Sequence, residues 1–326
     1  MFLNRFGPNL CENLRDLRVF FFSRRSRRIT QNIFWNGTIN LSVMIKFYNL
    51  RISYVLLLLA LVCFDVTAQK DHQKFTIVAF YTGKNDKAHV SFVHEANKWF
   101  SELAAKNKFA YDSTNDWTNM NPDFLAKYNV VMFLDTRPEK PDQRIAFEQY
   151  MKNGGAWIGF HFAAFALTPS DFPQNWDWYH NEFLGSGEYM GNTWRTTSAI
   201  LLVEDKKHPV TRTLPEMFTA SPNEWYSWKN DLRANSNIKV LLSIDPSSFP
   251  LGTGPKQWEI WHKGDFPVVW TNLKYRMLYI NMGHNDIDYE GGTNKELSLT
   301  FKNKTQNELI INTLRWYQKG GRKIRN

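Results

Sequence analysis

Two short apolar runs separated by one helical pattern constrain this fold more than any other part of the sequence. Residues 129–135 read NVVMFLD and residues 156–160 read AWIGF, and near-continuous apolar runs of this length are typical of parallel strands buried on both faces. Between them, residues 141–152 predict a helix, because Pro stands in its first turn and Gly154 and Gly155 follow its end. This order predicts a parallel βαβ unit.

The same alternation begins upstream of this unit. Residues 74–82 and 109–112 predict strands, and residues 89–106 and 122–127 predict helices. A β-α-β-α-β-α order predicts a doubly wound, mostly parallel central sheet with helices on both faces. In the second half, extended runs are predicted at 196–204, 238–244, 268–273 and 277–281, before a closing helix at 306–317. No repeat or linker interrupts residues 69–326, which we expect to form a single domain.

The N-terminal residues predict export. Residues 44–68 contain a basic start, an apolar stretch at Ile52–Phe64 and the small-x-small ending VTA, which are the three parts of a signal peptide. A membrane span needs about 20 residues, and this stretch is shorter. A retained N-terminal membrane anchor is the alternative. We expect a periplasmic or secreted protein that begins near Gln69 and has no stable membrane association. Residues 1–43 are interpreted as a gene-model extension, disordered if translated.

This leader also holds most of the basic charge and both cysteines. The chain has 40 Lys and Arg and 31 Asp and Glu, of which residues 1–68 hold nine and three, leaving 31 against 28 for residues 69–326. The mature chain therefore lacks the basic excess of a nucleic-acid binder. Because Cys11 and Cys63 precede the predicted cleavage site, the mature chain also has no thiol nucleophile or thiolate metal ligand.

Three histidines stand at or just after predicted strand ends. His89 ends the predicted loop after the first strand, where helix 89–106 begins, His161 follows AWIGF in a turn like a nucleophile elbow, and His284 follows strand 277–281. Ligands bind beyond the carboxyl ends of strands in such sheets, so we expect the three side chains to converge, with His161 pointing outward. They would then serve as a general base or as ligands of a divalent metal. A structural role for each histidine is the alternative.

Aromatic residues surround a further candidate, Glu224. Trp225 and Tyr226 follow it directly, and Trp178 lies in a second aromatic cluster. A carboxyl group amid aromatic rings either has a raised pKa or binds a sugar hydroxyl while a ring stacks on the sugar; a carboxylate that caps a turn is the alternative. The predicted catalytic residues are His161, His284 and Glu224, the predicted substrate-binding residues are His89, Trp225, Tyr226 and Trp178, and the candidate metal ligands are His89, His161 and His284.

Seven stretches together resemble the ThuA-like proteins, the trehalose-utilisation family. They are YNVVMFLDT (128–136), FEQYMKNGGAWIGFHFAA (147–164), DWYHNEFLG (177–185), VEDKKHPVTRTLP (203–215), NEWYSW (223–228), FPVVW (266–270) and RMLYINMGH (276–284). The resemblance implies a flavodoxin-like fold similar to that of class I glutamine amidotransferases. It also implies an elbow that carries His161 where the amidotransferases carry Cys, in the pattern Gly159-x-His161-x-Ala163. Asn223 stands where the family usually has Asp.

The resemblance implies a carbohydrate setting, often in bacteria that degrade glycans, and a small carbohydrate as ligand. Two functions remain open. The first is an exported enzyme that acts on a sugar or an oxidised sugar through a histidine-based site, with or without a divalent metal. The second is a non-catalytic carbohydrate-binding or accessory protein. The missing Cys argues against a glutamine amidotransferase, and the sequence leaves the sugar, the reaction, the metal and the oligomeric state open.

Overall fold

The computed structural model describes residues 75–84, 86–107, 109–167, 176–193, 196–248, 264–285 and 298–320. Residues 73–326 form one compact unit. The predicted leader and both cysteines lie outside the described residues. Among the residues that are described, no helix combines the length and the apolar character needed to cross a membrane.

The described chain alternates strands and helices in its first half and is dominated by strands in its second. In chain order the elements are β1 (Thr76–Phe80), α1 (Lys87–Asn107), β2 (Ala110–Thr114), α2 (Pro122–Leu125), β3 (Val130–Phe133), α3 (Pro141–Lys152), β4 (Ala156–Phe160), β5 (Tyr189–Asn192), β6 (Ile200–Val203), β7 (Met217–Thr219), β8 (Tyr226–Trp228), β9 (Ile238–Ile244), β10 (Pro267–Asn272), β11 (Arg276–Ile280) and α4 (Lys304–Gln318). A 3₁₀ turn spans His161–Ala164, and a π-helix spans Trp178–Phe183.

Nine strands form one sheet in the order β2-β1-β3-β4-β11-β10-β9-β6-β7. The neighbouring strands β2, β1, β3, β4 and β11 pair in parallel. This order, 2-1-3-4 followed by one late strand, is that of a flavodoxin-like sheet. On the other side of β11, the pairings of β11, β10, β9, β6 and β7 are antiparallel. The strands β5 and β8 form a separate two-stranded ribbon. The predicted fold class is confirmed, and the antiparallel extension is an addition to it.

Both faces of the sheet are covered, which explains the near-continuous apolar runs. Successive residues of a strand point to opposite faces, so Ile77 belongs to one buried cluster and Val78 to the other. The first cluster includes Phe92 of α1 and Leu309 of α4. The second includes Phe147 of α3. Every residue of β3 and β4 is buried, as expected of central strands.

A buried carboxylate joins the ends of β1 and β3, the two neighbours where the strand order reverses. Asp135 accepts hydrogen bonds from the backbone N–H of Thr82 at 2.7 Å, from the Thr82 hydroxyl at 2.8 Å and from the Gly83 N–H at 2.7 Å. Gly83 has a φ of +60°, a conformation that favours glycine. These contacts fix the loop that leads into α1 and therefore the position of the first residues of that helix.

Candidate functional site

His89 lies in the first turn of α1, not in the loop where the sequence placed it. Asp86 accepts a hydrogen bond from the Ala88 N–H at 2.8 Å, and a side-chain acceptor of this kind starts a helix. The helix therefore begins at Lys87, two residues earlier than predicted. The His89 side chain is buried.

His161 directly follows β4 in a left-handed conformation. Its φ is +37°, and no other non-glycine residue in the described ranges has a positive φ. Such backbone strain costs about 1–3 kcal/mol and is concentrated at functional sites, and it fits the predicted elbow. The prediction that the side chain points outward is wrong. His161 is fully buried, because the Tyr226 ring lies against the imidazole with centroids 4.0 Å apart.

The loop after β11 carries His284 and is fastened to the segment before β8. The Gly283 N–H donates to Asn223 Oδ1 at 3.0 Å, and the Glu224 N–H donates to the His284 carbonyl at 2.8 Å. Asn223 also donates through Nδ2 to the Ser221 carbonyl at 2.9 Å. Asn223 therefore positions the loop of His284 and uses both ends of its amide, which a carboxylate could not do.

The three histidines meet at the carboxyl edge of the parallel strands. The ring centroids of His89 and His284 are 4.7 Å apart, those of His161 and His284 are 5.3 Å apart, and those of His89 and His161 are 5.5 Å apart. One nitrogen from each ring lies within 4.8 Å of the other two. Two ligands of one zinc ion, each at about 2 Å, span at most about 4 Å. A small rotation of the rings would therefore bring the three nitrogens into coordination distance.

Glu224 completes this cluster. Its Oε2 atom lies 2.9 Å from His284 Nδ1 and 3.4 Å from His161 Nε2, and its Oε1 atom accepts a hydrogen bond from Asn192 Nδ2 at 2.5 Å. Burial acts to raise the Glu224 pKa, but the contacts with His161 and His284 outweigh it and hold the pKa below its ordinary value. The carboxyl is therefore ionised at neutral pH, and the raised pKa considered from the sequence is wrong.

Both ring nitrogens of His161 face an oxygen acceptor. Asn281 donates through Nδ2 to the Tyr226 carbonyl at 3.3 Å, so its Oδ1 faces His161 Nδ1 at 3.2 Å, while Glu224 Oε2 lies 3.4 Å from Nε2. A neutral imidazole carries one proton and can donate to only one of these acceptors. Burial lowers the pKa of His161 and disfavours the second proton that would serve both. A cation beside Nε2 would stabilise the Glu224 carboxylate without that second proton.

His89 contributes a third ring nitrogen to this cluster. Burial is the main cause that holds the pKa of His89 well below its ordinary value, and the neighbouring His284 and His161 lower it further. Its Nε2 atom is buried and has no hydrogen-bond partner among the residues described. A buried ring nitrogen without a partner costs about 1–3 kcal/mol, which a bound ligand would recover.

The predicted aromatic residues divide into three environments. Trp225 is fully buried, and its Nε1 donates to the Thr197 carbonyl at 2.7 Å, so its role is structural. Tyr226 packs on His161. Trp178 donates to the Tyr275 hydroxyl at 3.2 Å. Tyr275 precedes β11 and His284 follows it, and the five residues of this strand span about 17 Å. Trp178 therefore lies near the opposite edge of the sheet and not in the site where the sequence placed it.

Sequence reasoning missed Asn281 and Asn192. Asn281 is the last residue of the predicted strand 277–281, three residues before a candidate histidine, and that position was the available signal. Asn192 lies at the end of β5, a short strand without a periodic pattern, so nothing in the sequence marked it.

Comparisons with known proteins agree with this fold. A family model described as ThuA, trehalose utilisation, matches residues 77–316. A ThuA-like protein from Bacteroides uniformis has 38% identity and a TM-score of 0.64, over 74% of this chain and 91% of that chain. One from Parabacteroides merdae has 17% identity and a TM-score of 0.53, over 78% of this chain and 92% of that chain. No protein among the curated sequences is a significant match.

Proposed function

Since the chain belongs to the ThuA family, which is linked to trehalose utilisation, we propose that it is an enzyme that acts on a sugar or an oxidised sugar. The proposed centre consists of His89, His161, His284 and Glu224, and the three imidazoles hold a divalent transition metal. The observation that carries the proposal is that Glu224 lies 3.4 Å from His161 Nε2 while Asn281 Oδ1 faces Nδ1 of the same ring. One proton on a neutral imidazole can serve only one of these two acceptors, and a metal ion held by Nε2 would stabilise the carboxylate.

The donor set fits such an ion. Neutral imidazoles suit zinc and neighbouring transition metals, and burial keeps His89 and His161 neutral by lowering their pKa values. Three histidines leave a coordination position open for a substrate or water. When bound, such a metal polarises a carbonyl or hydroxyl oxygen and lowers the pKa of a bound water.

Glu224 is the proposed general base of this centre. Its carboxylate is ionised, one oxygen is fixed by Asn192, and the other faces the imidazoles. A carboxylate held this way can accept a proton from a sugar hydroxyl or from a carbon next to a carbonyl. Asn281 is a positioning residue, because its Oδ1 lies 3.2 Å from His161 Nδ1 and orients the ring.

The metal and the reaction are tested together on the purified protein. Metal content measured by mass spectrometry should approach one ion per chain and fall with His161→Asn. The matched control is His94→Asn, an exposed histidine on the same helix as His89, which should keep the metal. Disaccharides and their oxo derivatives are then followed by NMR for conversion and by calorimetry for binding.

Each outcome decides between the two functions. Conversion of a sugar that depends on the metal and on Glu224 supports the enzyme. Binding without conversion would replace it by the carbohydrate-binding accessory protein. Neither metal nor sugar bound would overturn the proposed centre.

We also propose that the protein is exported to the periplasm or secreted. The support is the signal-peptide pattern of residues 44–68. N-terminal sequencing of protein from the native host should find a start near Gln69. A cytoplasmic product that retains residues 1–43 would contradict export.

A further inference from the structure

Three aromatic rings form a continuous strip beside the histidine cluster. Phe162 and Phe165 stack with centroids 4.8 Å apart and an interplanar angle of 11°. Phe165 contacts Tyr189 at 4.9 Å. The Tyr189 N–H donates to the Ala166 carbonyl at 2.8 Å, so the two segments that supply these rings are bonded to each other. We call Phe162, Phe165 and Tyr189 the aromatic strip.

One end of the strip contacts the proposed centre directly, and the other end reaches it through Tyr226. Phe162 lies against His89, with centroids 4.9 Å apart. Tyr189 meets Tyr226 edge-on at 5.0 Å, and Tyr226 covers His161. The strip therefore borders the proposed centre.

The strip is uncharged and only half-buried. All three residues keep part of their surface accessible, and Leu167, two residues after Phe165, is 42% exposed. Large aromatic rings next to buried polar groups are typical of ligand sites, in which the rings supply area and the polar groups supply orientation. The same fold buries Phe160 and Trp225 completely, so the partial exposure belongs to this edge of the molecule.

We propose that the aromatic strip is a subsite for the second sugar ring of a disaccharide, the ring that does not reach the histidines. This inference rests on the proposed function and names its substrate class as a glycoside of at least two pyranose rings. The C–H face of a pyranose is flat and apolar, so it can cover an aromatic ring, and its hydroxyls stay at the rim in water. A charged aglycone would find no counter-charge among the three rings of the strip.

The test compares a two-ring with a one-ring probe on the metal-loaded full chain. Calorimetry measures the Kd of trehalose and of methyl α-D-glucopyranoside for the wild type, Phe165→Leu and Tyr189→Leu. Leucine keeps apolar volume and removes the flat ring. The matched control is Phe124→Leu, a half-buried aromatic that pairs with Tyr128 at 5.2 Å near the opposite edge of the sheet.

We expect the preference for trehalose over the one-ring glucoside to fall about tenfold in both strip variants, which corresponds to about 1.4 kcal/mol. Phe124→Leu should keep the wild-type preference. An unchanged preference in both strip variants, with metal content and melting temperature intact, would overturn the subsite and leave the proposed function standing. A wild type that binds neither probe would overturn the two-ring subsite, and its metal content would then show separately whether the histidine centre stands.

Discussion

The two edges of the parallel strands differ in how they use backbone strain and polar groups. At the carboxyl edge, His161 holds a positive φ of +37°, and three imidazoles and a carboxylate are buried together. At the amino edge, the positive φ falls on Gly154, at +86°, which is free of the strain that a side chain would bring. The carboxyl edge thus maintains a costly arrangement that the amino edge avoids.

The amino edge contains an open cleft. A cleft of about 340 Å³ lies there, lined in part by Asn129, Gly154 and Arg276. Its polar groups bond to backbone carbonyls, since Arg276 donates to the carbonyls of Gly154 at 3.0 Å and Tyr317 at 2.8 Å. These bonds fasten neighbouring elements. Clustered titratable groups and backbone strain, which are typical of functional sites, occur together at the carboxyl edge.

The largest expected effect comes from Glu224→Gln at the carboxyl edge. The amide keeps the shape and removes the charge, and it can turn either its N–H or its oxygen toward His161 Nε2, so folding should be preserved. Turnover of the sugar that the wild type converts should fall about 10²- to 10⁴-fold, the range for loss of a general base. Steady-state kinetics measures it, and near-normal kcat/KM would remove Glu224 from the mechanism.

A pH effect on stability is expected from the same edge. Burial holds the pKa values of His89 and His161 below 6.5, so below that pH the unfolded chain takes up protons that the folded chain refuses. Stability present above pH 6.5 is therefore lost as pH falls, by at most about 1.4 kcal/mol per histidine and pH unit. Urea unfolding of metal-free protein at pH 7.5 and 5.5 should show a smaller loss for His161→Asn than for the wild type. Equal losses would contradict neutral, buried imidazoles.

A smaller effect is expected from strain introduced at the amino edge. Gly154→Ala should lower the free energy of unfolding by about 1–2 kcal/mol, and the cost is purely conformational because a Cβ there meets nothing within 4 Å. Asn153→Ala, next to it with a φ of −81°, is the control and should change little. Sugar turnover should be unaffected in both, and reduced turnover in Gly154→Ala alone would show that the two edges are coupled.

The smallest effect is expected in the amino-edge cleft itself. Gln149 lines the cleft and is exposed. Gln149→Ala should change stability by no more than about 0.5 kcal/mol and leave sugar binding unchanged, as measured by melting temperature and calorimetry. A loss of sugar affinity in this variant would move the functional site to the amino-edge cleft.

Local sequence patterns determined the order of the elements and which residues end the strands. The predicted helix at 141–152 and the strand at 238–244 have the observed bounds, because periodicity and terminal Pro and Gly act over a few residues. The same patterns predicted that His89, His161 and His284 lie at the carboxyl edge of the sheet. The strands β5, β7 and β8 were missed, since they are three or four residues long and owe their extended conformation to pairing.

Only the tertiary structure decided the chemical state of the site. The partner of His161 Nδ1 is Asn281, 120 residues away, and the orientation of Glu224 depends on Asn192, 32 residues away. The burial of His161 and the distance of Trp178 from the site also follow from contacts between remote segments. Sequence patterns report which face of an element is apolar. The charge and tautomer of a buried group instead depend on partners that reach it only after the chain has folded.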